Sequence, residues 1–335
     1  MTKTRDLFWD TLKLVLIFLV FYGHVVQPYR EGSQFNMTAF NFIYTFHMPL
    51  FAFISGRFSR FSDRQKYKRS ILRIFETLVI VHLIRCTMIV LLGSGFNLGM
   101  LTTPSFALWY LAALIYWRLL ILVVPKKWER NPIIIISVSV LISLLAPFIP
   151  TFIGKHFVIE RSLNFLPFFI MGYFSVKIDI KKLIAKLNAK LAWGYLVLLF
   201  MALYFALQYD SINTATIVHS SWSYWTGSIM EISLRVVYIP LTIITSIMIM
   251  RLVPIWKPVA KLGGGISMFI YIYHMFMIDI LKYGVSQGYL RSDELSLILF
   301  TIVSFCLLIL LSRIKLFTYM LNPISTLFNK TRYIK

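Results

Sequence analysis

Apolar residues in this chain come in long, nearly unbroken runs rather than in two-residue alternation or narrow helical stripes. Ten runs approach the roughly 17–25 residues that a helix needs to cross a bilayer. They cover residues 10–27, 37–57, 74–94, 105–124, 132–150, 164–176, 191–208, 230–250, 263–283 and 295–312. The sixth is short enough for a tilted or partly re-entrant segment. The connections are too short for a separate soluble domain. The pattern predicts an all-α, polytopic integral membrane protein with about ten transmembrane helices, formed as one domain over residues 1–335.

Composition agrees. The chain is 59% hydrophobic and 14% charged, against about 45–50% and about 25% in soluble domains. Disorder and a disulfide scaffold are excluded on the same numbers, the latter because only two cysteines are present. Net charge is +21, which in a soluble chain would suggest nucleic acid. Its distribution points elsewhere. Of 34 Lys and Arg, 25 fall at the termini and in the loops 57–73, 125–131, 177–190 and 251–262; five fall in the other loops and four inside spans. That asymmetry is the positive-inside pattern of a multi-pass cell-membrane protein with both termini cytoplasmic. The partner is the bilayer, not nucleic acid. The first run contains Lys13 and no small-residue cleavage site follows it, so it is expected to stay in the mature chain. Cys86 and Cys306 lie inside spans and read as buried thiols.

An ionisable residue in mid-membrane costs at least about 2.5–3.5 kcal/mol, so each needs a reason. Lys13, Arg85, Arg118 and Arg235 are the cations inside spans. Lys13 and His24 are eleven residues apart, hence on one helix face about 16.5 Å apart along the axis. Two readings stand for this pair: Lys13 snorkels while His24 caps a carbonyl, or both serve a site. Asp10 precedes Lys13 by three residues. His47 stands two residues before Pro49; it reads first as repairing that kink and second as a substrate contact. Ser55-Gly56 permits close backbone approach. Arg69 and Arg73, four apart, are either a positive-inside cluster or a site for a phosphorylated ligand. His82 with Arg85, and Glu231 with Arg235, read as structural ion pairs or the lining of a polar cavity. Tyr271 and His274 share a face. Trp222, in an aromatic outer loop, suits an interfacial belt or sugar stacking. There is no phosphate-binding loop, no G-x-G-x-x-G, no C-x-x-C and no H-E-x-x-H, which argues against an ATP-driven pump, a nicotinamide enzyme or a zinc site; no metal is expected.

The order Arg5, Asp10, Lys13, His24, then Phe46-His47-Met-Pro-Leu-Phe with Ser55-Gly56, then a basic entry to the third span, resembles the membrane-bound acyltransferase family 3. Trp109-Tyr-Leu-Ala-Ala-Leu, Phe165-Leu-Pro-Phe-Phe-Ile-Met-Gly172 and Ser267-Met-Phe-Ile-Tyr-Ile-Tyr-His274 extend the likeness over most of the chain, which is nearest the fucose 4-O-acetylase-like branch. The resemblance implies an enzyme that moves an acetyl group from acetyl-CoA to a hydroxyl of a surface polysaccharide or its lipid-linked precursor. It implies His24 as the residue that activates the sugar hydroxyl or transiently handles the acyl group, Asp10 as orienting Lys13, and Arg69, Arg73 and Lys13 on the donor. His47, Arg85, Glu231, His274 and Trp222 are then candidates for the acceptor. The family's Arg-x-x-Arg at the third span is replaced by Arg69-x-x-x-Arg73, with Lys66 three residues before Arg69. The rival from another class is a transporter or flippase for a glycolipid, which would share the spans but lack affinity for coenzyme A.

Overall fold

The computed structural model of the protein describes residues 6–91, 97–104, 106–124, 129–149, 156–208, 229–254 and 264–314. Each of the ten apolar runs coincides with one helix: α1 Leu7–Val26, α2 Gln34–Arg57, α3 Arg64–Ile89, α4 Trp109–Val123, α5 Pro132–Leu145, α6 Ile159–Phe174, α7 Ala189–Ala206, α8 Ile229–Leu252, α9 Gly264–Ser286 and α10 Glu294–Leu311. A 3-10 turn, Gln27–Gly32, extends α1. Among the described residues, α1, α2, α7, α8, α9 and α10 are long and apolar enough to cross a membrane, while α4 and α5 are shorter apolar helices.

Boundaries follow local chemistry. Asp6 caps α1 by accepting from the Phe8 amide at 3.2 Å, and Asn188 caps α7 through the Lys190 amide at 2.8 Å. The third helix begins ten residues before its apolar run, because Asp63 accepts from the Gln65 and Lys66 amides at 2.9 and 3.0 Å. The basic stretch from Arg64 to Arg73 is therefore helix, not the loop that hydrophobicity alone suggests.

The helices group into two compact units, and the division falls inside α2 between Ile54 and Ser55. Unit 1 holds α1, α2 as far as Ile54, the short helix Ile180–Ala185, and α7 to α10. Here α1 packs on α9 and α7 on α8. Phe8, Leu12, Leu16, Phe46, Leu50, Ile180 and Met250 form one buried cluster. Pro49 removes the amide that would bond the Thr45 carbonyl. Thr242 Oγ1 of α8 donates to that carbonyl at 2.7 Å, so Thr242 repairs the kink, rather than His47 as the sequence suggests.

Unit 2 holds Ser55–Arg57 and α3 to α6, with α3 on α4 and α6 between α4 and α5. Trp109 stacks on Phe165, and Trp117 lies against Phe169, with ring centroids 5.3 and 5.1 Å apart. Trp117 Nε1 also donates to the Ser162 carbonyl at 2.8 Å. The close approach expected at Ser55-Gly56 is present: a Cβ on Gly56 would stand 1.9 Å from the Phe169 carbonyl oxygen. Beside it, Ser55 and Tyr110 share a 2.7 Å hydrogen bond. Both cysteines are free, Cys86 buried as expected and Cys306 exposed on α10.

Candidate active site

Three helices of unit 1 converge on His24. It lies in the last turn of α1, three residues before Gln27, and its Nδ1 stands 3.1 Å from Gln27 Oε1. Gly23 lets α2 come close, its absent Cβ being 3.2 Å from Tyr44 Cε2, and this brings the Tyr44 hydroxyl to 3.0 Å from the same Nδ1. Tyr44 in turn donates to Gln27 Oε1 at 3.4 Å. Both neighbours of Nδ1 can then act as acceptors only if Nδ1 carries the hydrogen. Neutral His24 thus keeps its lone pair on Nε2. From α9, His274 stacks on His24 with centroids 5.4 Å apart and planes at 26°, and Phe21 meets His274 edge-on at 5.7 Å.

The other two histidines of this cluster are settled by backbone carbonyls, which only accept. His47 Nδ1 donates to the Ile43 carbonyl at 2.8 Å, and His274 Nδ1 to the Ile270 carbonyl at 3.2 Å. Each therefore also leaves Nε2 as the basic nitrogen. Both are buried, His274 completely. His47 touches the ring of Tyr44 at 4.5 Å, so His24, Tyr44, His47 and His274 form one contiguous group.

Lys13 pairs with Asp10 at 2.9 Å, with a side chain 20% exposed. The shared face predicted for Lys13 and His24 follows from the unbroken α1, and between them Ile17 and Val20 are each 1% exposed.

In unit 2, Arg69 and Arg73 are exposed on α3. Deeper in α3, His82 Nε2 donates to the Leu101 carbonyl at 3.2 Å, and Arg85 is buried three residues on. Arg118, one of the cations that the sequence places inside a span, lies in α4, and its Nη1 donates to Ser70 Oγ at 3.0 Å. The sequence misses Tyr44 and Gln27. Gln27 could have been found, one helical turn beyond His24, but a tyrosine twenty residues away announces nothing locally. The Trp222 and Glu231 side chains lie outside the described residues, and with them the Glu231–Arg235 pair; Arg235 itself is buried in α8.

Residues 6–314 match the acyltransferase domain that defines the acyltransferase 3 family. The chain belongs to that family. Two curated relatives are both described as nodulation protein NolL. The protein of Mesorhizobium japonicum is 33% identical over 160 residues, 44% of this chain and 43% of its own length. The protein of Sinorhizobium fredii is 46% identical over 57 residues, 16% of each chain. The chain thus spans less than half the length of the curated relatives it matches. No solved structure matches. Within the domain that the chain shares with this family, the histidine group of unit 1 is the candidate centre for proton transfer.

Proposed function

We propose that this acyltransferase moves an acetyl group from acetyl-CoA to a hydroxyl of a cell-surface polysaccharide or its lipid-linked precursor. One observation carries the reading: His24 has Nδ1 committed to Gln27 and Tyr44, and so presents Nε2 as a base. The acceptor O–H gives its proton to Nε2 and its oxygen forms the new C–O bond at the thioester carbonyl. The C–S bond then breaks, and the departing coenzyme A thiolate takes the proton back from Nε2. Imidazole suits this exchange because its unperturbed pKa, about 6.5, lies near working pH. Tyr44, Gln27 and the stacked His274 hold the ring's tautomer and plane. His47 is a second acceptor of hydrogen bonds in the same group, and Asp10 fixes Lys13.

The donor carries several phosphates, and Arg69, Arg73 and Lys13 are the cations that the sequence offers for them. The 25-to-5 distribution of basic residues supports ten crossings of the cell membrane with both termini cytoplasmic. The acceptor contacts assigned to Arg85, His274, Glu231 and Trp222 belong to the same proposal. The test is to supply membranes containing the protein with acetyl-CoA labelled in the acetyl group. Label in the glycan fraction, absent without the protein, is the expected result. No labelled glycan, together with protein-dependent movement of a glycolipid between leaflets, would replace the enzyme with a flippase.

A further inference from the structure

Where α1, α2, α7 and α8 of unit 1 meet, they leave a groove of about 410 Å³, and every residue that lines it is hydrophobic. Its α7 wall is the stripe Trp193, Leu196, Val197, Phe200 and Met201, which covers about 12 Å of helix axis. Trp193 and Val197 are exposed, so this wall looks outward rather than into the core. At one end α2 and α7 are tied together. Phe200 meets Phe42 and Phe35 with ring centroids 5.6 and 6.0 Å apart, and Gln34 Nε2 donates to the Tyr204 carbonyl at 2.8 Å.

The other end, where α7 begins and α8 finishes, is basic. Lys190 stands three residues before Trp193 and seven before Val197, about 60° and about 20° from them round the helix. It therefore heads the same stripe that walls the groove, and it is exposed. Arg251 Nε donates to the Leu187 carbonyl at 2.6 Å, which holds a second cation against the turn leading into α7. An apolar slot of this kind does not hold water, and left empty its walls forfeit dispersion contacts. A hydrocarbon chain restores them. The chain alone gives no selectivity, because lipid tails are as apolar as the wall; the cations at the basic end supply it by attracting a phosphate.

We propose that this groove binds one acyl chain of an anionic phospholipid, whose phosphate is met by Lys190 and Arg251. The test uses full-length protein in detergent micelles and two phospholipids brominated in mid-chain, one with a phosphatidylglycerol head and one with a phosphatidylcholine head. Bromine quenches indole fluorescence at contact, and the signal of Trp193 is read as the difference between wild type and Trp193→Phe. The expected result is saturable quenching of Trp193 with a lower midpoint for phosphatidylglycerol than for phosphatidylcholine, by about fivefold for each cation. Lys190→Gln raises the phosphatidylglycerol midpoint about fivefold and leaves that of phosphatidylcholine unchanged. Val197→Phe, which fills the slot from an exposed position, abolishes quenching by both lipids while the melting temperature stays near wild type. Should that variant fail to fold, the exposed Lys190→Gln still decides. The site is overturned by equal midpoints for the two lipids, by an unchanged midpoint in Lys190→Gln, or by quenching that survives in folded Val197→Phe. Wild-type Trp193 that neither lipid quenches would overturn it too, and would mean that another part of the chain or a second copy covers the groove.

Discussion

Gly56 is the position at which a single methyl group tests the packing of unit 2. In Gly56→Ala the new Cβ would lie 1.9 Å from the Phe169 carbonyl oxygen, 2.8 Å from its carbon and 2.9 Å from the Tyr173 nitrogen. All three are backbone atoms of α6, so no side chain can rotate away. Bringing the first contact to 3.0 Å requires the end of α2 and α6 to separate by about 1.1 Å. Such overpacking costs about 1–3 kcal/mol, and separation also stretches the 2.7 Å Ser55–Tyr110 hydrogen bond, worth about 0.5–1.5 kcal/mol. Alanine's better helix propensity returns about 1 kcal/mol. The net expectation is a loss of about 2 kcal/mol. It is read as a melting temperature several degrees lower for Gly56→Ala in detergent micelles, with Gly194→Ala as control because nothing lies within 4 Å of its Cβ. Equal melting of Gly56→Ala and wild type would refute the backbone contact.

Thr242→Val should destabilise by about 1–3 kcal/mol, since it leaves the Thr45 carbonyl freed by Pro49 without its donor; thermal melting of the variant checks this. Gly23→Ala meets side chains and no backbone, Tyr44 Cε2 at 3.2 Å and Ile43 Cγ2 at 3.4 Å. It should slow transfer by shifting Tyr44 off His24 while the melting temperature stays near wild type, a split that paired kcat and melting measurements would show. Asp63 is held below the ordinary carboxylate range, first by the Lys66 amide hydrogen bond. A depressed carboxyl stabilises above its unfolded pKa and loses that contribution as pH falls through the folded value. The first turn of α3 should therefore fray below about pH 4, and hydrogen exchange at Gln65 and Lys66 should rise there in wild type but not in Asp63→Asn.

Long apolar runs made ten helices legible, because an apolar helix face is continuous regardless of which neighbour it meets; among the described residues six of them are long and apolar enough to cross a membrane. Relations within one helix were legible too: Asp10 with Lys13, and the common face of Lys13 and His24, follow from a 3.6-residue period. The glycine at 56 was readable as a point of contact, since only a missing side chain lets backbones touch. Contacts between helices were not. Tyr44 reaches His24, Thr242 reaches Thr45 and Arg118 reaches Ser70 only after packing has chosen neighbours, and nothing beside them in sequence marks the choice. The same ignorance of facing made Cys306 look buried, although it lies on an exposed face of α10.

The most direct test of His24 as base measures two quantities on one purified variant, His24→Ala: the dissociation constant for acetyl-CoA, and the rate of coenzyme A thiol release when the acceptor glycan is supplied. The account predicts an unchanged dissociation constant with a rate lower by about 10²–10⁴-fold, the usual worth of a positioned base. A rate equal to wild type would contradict it.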